Sequence, residues 1–144
     1  MIIVFIINAL IAAITIIIHY EFLYYLGKLL PKMKLSNRLQ ILAGVFGALI
    51  AHAIEVWIYA LAYYAMINSE NWGELTGTVN NFNGSLMDCA YFSFTTYTTL
   101  GFGDIIPTGD LRYLTGIESL TGLVLITWTA SFLFIEMQRH WDIK

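Results

Sequence analysis

One stretch in the second half of the chain combines residue types that could bind a bare cation. Thr99-Leu100-Gly101-Phe102-Gly103-Asp104 places two glycines around an aromatic residue and follows a run of threonines. Alternating glycines allow backbone conformations that are closed to other residues, so successive carbonyl oxygens can face the same way. Four copies of such a strip around one axis would form stacked cages of oxygen atoms, which could replace the water shell of an ion.

The segment before this strip, residues 85–98, has the composition of a short helix that enters a membrane without crossing it. It is too short and too rich in hydroxyl groups to span a bilayer, yet too apolar for water. Ser85 can cap its start, and Asp88 falls in the first turn, where the helix dipole favours a carboxylate. The pattern predicts a half-helix that leads directly into the strip.

Three long apolar segments surround this half-helix: residues 1–27, 39–67 and 111–138. Each exceeds the roughly 20 helical residues that cross a bilayer core. A cleaved signal peptide is the alternative for the first segment, but its start has no basic residue and it lacks a clear small-residue cleavage site. Because 58% of the 144 residues are hydrophobic, a soluble fold is excluded, and we predict three membrane-spanning helices.

The charged residues predict the orientation in the membrane, because cytoplasmic loops carry an excess of lysine and arginine. Six of the seven basic residues lie in the loop after the first segment or follow the third segment, namely Lys28, Lys32, Lys34, Arg38, Arg139 and Lys144. The acidic residues expected on the other side are Glu70, Glu74, Asp88, Asp104 and Asp110. We therefore predict a plasma-membrane protein with its amino terminus outside and its carboxyl terminus in the cytoplasm.

The strip and its surroundings resemble the pore-loop potassium channel superfamily. Thr-Leu-Gly-Phe-Gly-Asp is similar to the Thr-Val-Gly-Tyr-Gly-Asp signature of that family, and threonine pairs precede it in the same register. Residues 1–38 have no counterpart in two-span members and would be an additional membrane helix with a basic cytoplasmic loop. Residues 39–144 would be the pore domain, with an outer helix at 39–67, an outer loop at 68–84, a pore helix at 85–98, the filter at 99–104 and an inner helix at 111–138.

This resemblance implies an all-α membrane protein with three transmembrane helices, a re-entrant pore helix and a filter loop, assembled as a four-fold symmetric homotetramer in a lipid bilayer. Its activity would be passive, selective conduction of K⁺. The ions would be coordinated by main-chain oxygens of Thr99, Leu100, Gly101 and Phe102 and by the Thr99 hydroxyl, while Gly103 would form the outer mouth. The permeant K⁺ is the only ligand expected; no cofactor and no nucleic-acid partner is implied.

The resemblance also implies side chains that hold the filter in shape, and these are Tyr91, Phe92, Thr98, Asp104 and Glu118. Asp104 matches the aspartate that ties the filter to the pore helix, and Tyr91 could donate a hydrogen bond to it. Phe92 and Phe102 replace a tryptophan and a tyrosine of many members, so aromatic packing would replace a hydroxyl-to-indole contact. Glu118 is expected either to brace the filter or to be a neutral side chain facing another helix.

In the third apolar segment, Val124, Thr127, Ser131 and Ile135 recur at helical spacing, and the resemblance places this stripe on a water-filled cavity with an inner gate. The alternative is that Thr127 and Ser131 only bond to backbone carbonyls one turn back. Gly122 lies near the hinge position of the family. It would either let the inner end of the helix move or pack closely against a neighbour.

Two further pairs of ionisable residues lie within the spans. His52 and Glu55 are three residues apart, so they share a helical face and could pair with each other or with hydroxyls of the first segment. A pH-sensing role is one option for this pair. His19 and Glu21 lie toward the cytoplasmic end of the first segment, where we expect them to reach the headgroup region and anchor the helix.

Several functions are disfavoured by what the sequence lacks. The first segment has no ladder of arginines or lysines, so it cannot be a voltage-sensing helix. No nucleophile with its base and no phosphate-binding loop is present, so an enzyme is not expected. A weakly selective cation channel remains open because Leu100 and Phe102 are both substitutions. The same residues are also compatible with a subunit of a potassium uptake system and with a non-conducting relative that kept the fold.

Overall fold

The computed structural model describes residues 2–69, 71–78 and 82–140, apart from the side chain of His140. Most of these residues are helical, and the four α-helices are α1 (Ile2–Leu29), α2 (Asn37–Ile67), α3 (Leu86–Tyr97) and α4 (Leu111–His140). Three of them, α1, α2 and α4, are long and apolar enough to cross a membrane, as predicted. Glu70 and Lys144, which contributed to the predicted orientation, lie outside the described residues.

The turn between α1 and α2 follows from a single proline. Pro31 has no N–H to donate and disfavours the α conformation of the residue before it, so α1 gives way to a 3₁₀ turn over Leu30–Lys32. Ser36 then takes an extended conformation as the residue before α2. The result is a short connection that brings α2 back alongside α1, and the two helices contact each other.

The start of α3 is a capping box, which confirms the predicted cap. The Ser85 hydroxyl accepts a hydrogen bond from the Asp88 N–H at 3.1 Å, and the Asp88 carboxylate accepts one from the Ser85 N–H at 3.0 Å. Partial burial raises the pKa of Asp88, but the hydrogen bonds from Ser85 and Asn83 outweigh it and lower this pKa below its ordinary value. Both hydrogen bonds of the capping box therefore favour a helix that begins at Leu86.

Two short strands connect the regions on either side of α3. Strand β1 (Leu75–Gly77) pairs antiparallel with β2 (Ile105–Pro107), and the Thr78 N–H donates to the Asp104 carbonyl at 2.8 Å. The sequence predicts only a loop over residues 68–84, because three residues are too few to show an alternating pattern. The pairing ties residues 75–78 to the residues that directly follow the strip.

The core of the protein lies between one face of α3 and the longer helices α2 and α4. Side chains from α2, α3 and α4 form one large buried cluster, which includes Val56, Tyr59, Tyr63, Phe92, Tyr97, Leu111 and Leu114. Helix α1 packs against both α2 and α4, and a second buried cluster is formed by Leu23 and Leu26 of α1 with Leu30 of the 3₁₀ turn. Because α3 is held by two longer helices, the strip that follows it starts from a defined position.

Candidate functional site

The strip that follows α3 alternates in backbone handedness. Thr99, Gly101 and Gly103 have φ values of 61°, 51° and 76°, whereas the residues between them do not have positive φ. This reversal at every second residue allows successive carbonyls to face one side of the strip. The left-handed region is open to glycine but strained for a β-branched residue, so Thr99 is a conformational outlier. Strain of this kind concentrates at functional sites.

The N–H groups and the carbonyl groups of the strip have different partners. The N–H of Thr99 donates to the Thr96 carbonyl at 2.9 Å, and that of Gly101 donates to the Thr95 carbonyl at 3.0 Å. Within the residues that the structure describes, no donor reaches the carbonyl oxygens of residues 99–103. Backbone carbonyls left without a partner in a dry site are costly, so these oxygens need water, an ion or another donor.

The side chains of the strip project away from the rest of the chain. Leu100 is 63% exposed and Phe102 is 66% exposed, and a Cβ added to Gly101 or Gly103 would meet no other atom within 4 Å. Behind the strip, a cavity of about 310 Å³ is bounded by α3, α4 and β2. The strip is therefore anchored at its two ends but uncovered along its length.

Asp104 connects the end of the strip to two other elements. Its carboxylate accepts a hydrogen bond from the Tyr91 hydroxyl on α3 at 2.7 Å, the contact that the family resemblance implies. Its backbone carbonyl accepts from the Thr78 N–H and from the Thr78 hydroxyl. The hydrogen bond to Asp104 also raises the pKa of Tyr91. Asp104 thus links the strip both to α3 and to Thr78, which directly follows β1.

Glu118 is fully buried on α4 and lies behind α3. The Tyr63 hydroxyl of α2 donates to one carboxyl oxygen at 2.6 Å, and the Ser93 hydroxyl of α3 contacts the other. The next residue, Ser119, donates to the Thr96 carbonyl at 3.2 Å. These contacts join α2, α3 and α4 just behind the helix that leads into the strip.

Two other predicted support residues, Phe92 and Thr98, lie on α3 and at its carboxyl end. Phe92 is buried edge-on against Tyr63, with ring centroids 5.0 Å apart, and also lines the cavity behind the strip. No ring contact between Phe92 and Phe102 is formed in the described part of the chain. Thr98 caps the carboxyl end of α3 and donates its hydroxyl to the Phe94 carbonyl at 2.6 Å. Within one chain, these residues therefore stabilise α3 rather than the strip.

The predicted stripe on α4 lies on an exposed face. Val124 is 51% and Ile135 is 49% exposed, and Thr127 and Ser131 lie between them on the same face. The Thr127 hydroxyl donates to the Leu123 and Val124 carbonyls, and that of Ser131 donates to the Thr127 carbonyl at 3.2 Å. The hydroxyls therefore bond to their own helix, but their face is not covered by the chain.

Gly122 lies on the opposite, buried face of α4. A Cβ at this position would be 2.2 Å from the carbonyl oxygen of Tyr97, the last residue of α3. No side chain fits there, because backbone atoms cannot move aside as the tip of a flexible side chain can. Of the two roles predicted for Gly122, the structure contains the close packing. Gly116, on the same helix, has no atom within 4 Å of its added Cβ.

A second buried polar cluster surrounds Glu55. The Nδ1 atom of His19 is 2.7 Å from one oxygen of Glu55, and Nδ1 of His52 is 3.0 Å from the other. The Tyr97 hydroxyl donates to the same carboxylate. The predicted pairing of His52 with Glu55 is confirmed. The expected anchoring of His19 in the headgroup region is wrong, because its imidazole is fully buried and turned toward α2.

One signal in the sequence could have placed His19 correctly. Asn8, Thr15 and His19 are spaced seven and four residues apart, so they share one face of α1, and all three are buried. Polar side chains in a spanning helix usually face other helices rather than lipid. A polar stripe of this kind indicates that α1 packs against the rest of the protein. The roles of Tyr97 and Thr129 carried no comparable signal.

Comparison with known proteins places the matched region over the strip and its flanking helices. The ion channel family matches residues 51–139, which is more than half of the chain. The potassium channel protein Kcv of Paramecium bursaria Chlorella virus 1 is 39% identical over 81 residues, which cover 51% of this chain and 83% of the viral protein. No solved structure matches the chain significantly.

Proposed function

This chain belongs to the pore-loop potassium channel superfamily, and we propose that four copies of it form a pore that conducts K⁺ passively across the plasma membrane. The observation that carries the proposal is the strip itself, with alternating positive φ values and carbonyl oxygens that no donor in the described residues reaches. Catalysis has no part in this function. The orientation inferred from the charges has the amino terminus outside and the carboxyl terminus in the cytoplasm.

In the proposed pore, K⁺ exchanges its water shell for protein oxygens. The carbonyls of Thr99, Leu100, Gly101 and Phe102, with the Thr99 hydroxyl, supply these oxygens, and Gly103 forms the outer mouth. A strained Thr99 supports this assignment, because a left-handed threonine needs a reason to persist. The cost is offset if the conformation is stabilised by bound ions.

A single chain supplies only one side of such a cage, so the function requires a symmetric assembly. Irregular backbone at membrane depth is tolerated only where it is buried in protein or lines water. The exposed Leu100 and Phe102 therefore need cover from neighbouring copies, and the exposed face of α4 around Thr127 and Ser131 needs water. A homotetramer around an axis in front of the strip would supply both the neighbouring copies and the water. In this assembly, residues 39–144 are the pore domain and residues 1–38 are an additional segment.

Helix α3 serves as the re-entrant pore helix in this assembly. Its carboxyl end, after Tyr97, is the negative end of the helix dipole, and four such ends would favour a cation below the filter. Asp104 and Glu118 hold the filter through Tyr91 and Ser93, which both lie on α3. Movement of α4 relative to α3 is the proposed route by which the filter or the inner end could be gated.

The test is ion flux through purified protein in liposomes, measured separately with K⁺ and Na⁺ gradients and with Ba²⁺ as a blocker. We expect K⁺ flux that Ba²⁺ blocks, and little Na⁺ flux. Gly101→Ala, at a position with positive φ, should abolish flux, whereas Gly116→Ala serves as the control because nothing surrounds it. Equal flux of Na⁺ and K⁺ would identify a weakly selective cation channel instead. No flux of either ion from intact tetramers would contradict the proposal.

A further inference from the structure

The cluster around Glu55 contains side chains that are typical metal ligands. His19, His52 and Glu55 each offer one ligand atom, and these atoms lie within 4.8 Å of one another. The side chains of His19 and Glu55 are fully buried, and that of His52 is 16% exposed. Two imidazoles and one carboxylate are a ligand set that binds Zn²⁺ in proteins, with a fourth position left open.

We propose that His19, His52 and Glu55 form a binding site for a divalent transition-metal ion, with Zn²⁺ as the best match. Tetrahedral Zn²⁺ with bonds of 2.0–2.2 Å needs ligand atoms about 3.4 Å apart. The Nδ1 atoms of His19 and His52 lie 2.7 and 3.0 Å from oxygens of Glu55, so these side chains would move slightly apart to admit the ion. Ca²⁺ and Mg²⁺ are poor matches because they prefer ligand sets made of oxygen atoms.

Hydrogen bonds to the three proposed ligands from other side chains support the site independently. The Nε2 atoms of His52 and His19 lie 2.9 and 3.4 Å from one hydroxyl oxygen, that of Thr129 on α4. A hydroxyl oxygen has two lone pairs and can accept from both rings. Without a metal, Nδ1 carries the ring proton and donates to Glu55. With a metal on Nδ1, the ring proton would move to Nε2 and be donated to Thr129, as metal-binding histidines usually do with their second nitrogen. The Tyr97 hydroxyl supports the Glu55 carboxylate in the same manner.

The cluster is not enclosed by the chain at His52, whose side chain is 16% exposed. A cavity of about 320 Å³ lies beside the exposed edge of His52 and is bounded by α2, α3 and Ile126 of α4. Because the protein supplies three ligands, a water molecule from this cavity would complete the tetrahedron. Binding is therefore expected to be reversible, and the hydrogen bonds of Glu55 keep the cluster together without a metal.

A bound ion would join parts of the protein that the sequence separates. His19 belongs to α1 and the other two ligands to α2, while their supporting hydroxyls belong to α3 and α4. Tyr97 is the last residue of the helix that leads into the strip. The consequence for transport rests on the function proposed above: an occupied site should hold α4 against α1 and α2, and so reduce K⁺ flux.

Metal binding by the full-length protein, purified without a histidine tag, tests the site directly. Co²⁺ is titrated first, because its tetrahedral complexes absorb visible light, and Zn²⁺ is then added in competition. We expect one ion per chain and two imidazole nitrogens in its X-ray absorption spectrum. His19→Ala, His52→Ala and Glu55→Gln should abolish binding. The milder Tyr97→Phe and Thr129→Val should weaken it roughly 10–100-fold.

Two matched controls separate this site from adventitious binding. Glu118→Gln changes a glutamate that is equally buried but has no histidine partner, and His140→Ala changes the third histidine of the sequence. Both should bind Co²⁺ like the wild type. The proposal is overturned if the wild type binds no more Co²⁺ than Glu55→Gln, or if Tyr97→Phe and Thr129→Val bind as tightly as the wild type.

Ion flux and metal binding are measured separately, so the proposed channel function and the proposed metal site can be tested independently. Zn²⁺ that reduces K⁺ flux in the wild type and not in His52→Ala supports both. Binding with unchanged flux retains the metal site and removes only its effect on transport. Protein that binds Co²⁺ as expected but conducts no ion contradicts the proposed function and leaves the site in place.

Discussion

Glu55 and Glu118 are both fully buried within spanning helices, yet they have different surroundings. Glu55 faces two imidazoles and the Tyr97 hydroxyl, whereas the partners of Glu118 among the described residues are the hydroxyls of Tyr63 and Ser93. Each cluster connects α2 and α4 to α3, but only the Glu55 cluster also includes α1. The two sites therefore show how one residue type at equal burial can be used in two ways.

The protons available for hydrogen bonds explain why the two carboxyl groups differ in charge. Ser93 lies 2.8 Å from the Val56 carbonyl and also contacts Glu118. A hydroxyl has one proton and a carbonyl only accepts, so a Ser93 that donates to Val56 needs a proton from the Glu118 carboxyl group. Glu55, in contrast, can accept at both oxygens from N–H and O–H donors. Glu118 is thus suited to be a neutral acid and Glu55 to be a carboxylate.

The strongest test of this comparison replaces each glutamate by glutamine. In Glu55→Gln, removing the charge from a buried paired group should destabilise the protein by about 3–5 kcal/mol. In Glu118→Gln, the amide can donate to Ser93 and accept from Tyr63, so the loss should stay below about 1 kcal/mol. Thermal unfolding of both variants in the same detergent measures the difference. Equal losses would mean that the two carboxyl groups do not differ in charge.

The tyrosine partners give a second, smaller contrast. Tyr97→Phe removes a hydrogen bond to a charged acceptor and should cost about 1.5–3 kcal/mol, whereas Tyr63→Phe removes one to a neutral group and should cost about 0.5–1.5 kcal/mol. Both changes delete a single oxygen from a buried ring of the hydrophobic core, so each variant is the control for the other. A reversed order in the unfolding experiment would contradict the assignment of charge to Glu55.

Gly122 provides a test of the packing that lies between the two clusters. It follows Glu118 by one helical turn and lies against the backbone of Tyr97. Gly122→Ala should move α4 away from α3 and cost about 1–3 kcal/mol. Gly116→Ala adds the same methyl group where nothing surrounds it, so it should be neutral or slightly stabilising. If unfolding temperatures fall equally in the two variants, the close approach of Gly122 to Tyr97 is not the cause, and helix propensity cannot be either, because alanine favours a helix more than glycine does.

A small effect on stability is also expected for a tyrosine outside both clusters. Tyr91 is 41% exposed, and Tyr91→Phe removes one hydrogen bond to Asp104, worth about 0.5–1.5 kcal/mol at most. Its effect should instead appear in the rate at which K⁺ flux declines under sustained conduction. Unchanged stability together with unchanged flux would remove the proposed role of this contact in holding the filter.

Features that depend on neighbouring residues were predictable from the sequence. Three spanning helices follow from three long apolar runs, and the capping box at Ser85 follows from a polar residue three positions before an acidic one. The Tyr91 to Asp104 hydrogen bond was also predicted, because the two residues lie in one short segment that resembles a known family. Membrane-spanning segments and helix ends depend on residues that are close together in the chain, so they can be read directly from the sequence.

Features that depend on the rotation and docking of whole helices were decided only by the tertiary structure. The sequence places His19 and Glu55 on different helices, and nothing in either segment says that they meet at 2.7 Å. Gly122 similarly needs to be glycine only because α4 passes within reach of the Tyr97 carbonyl. Side-chain partners across a helix interface depend on the relative orientation of both helices. That orientation is determined by many weak packing contacts together, and these cannot be read from the sequence of one segment.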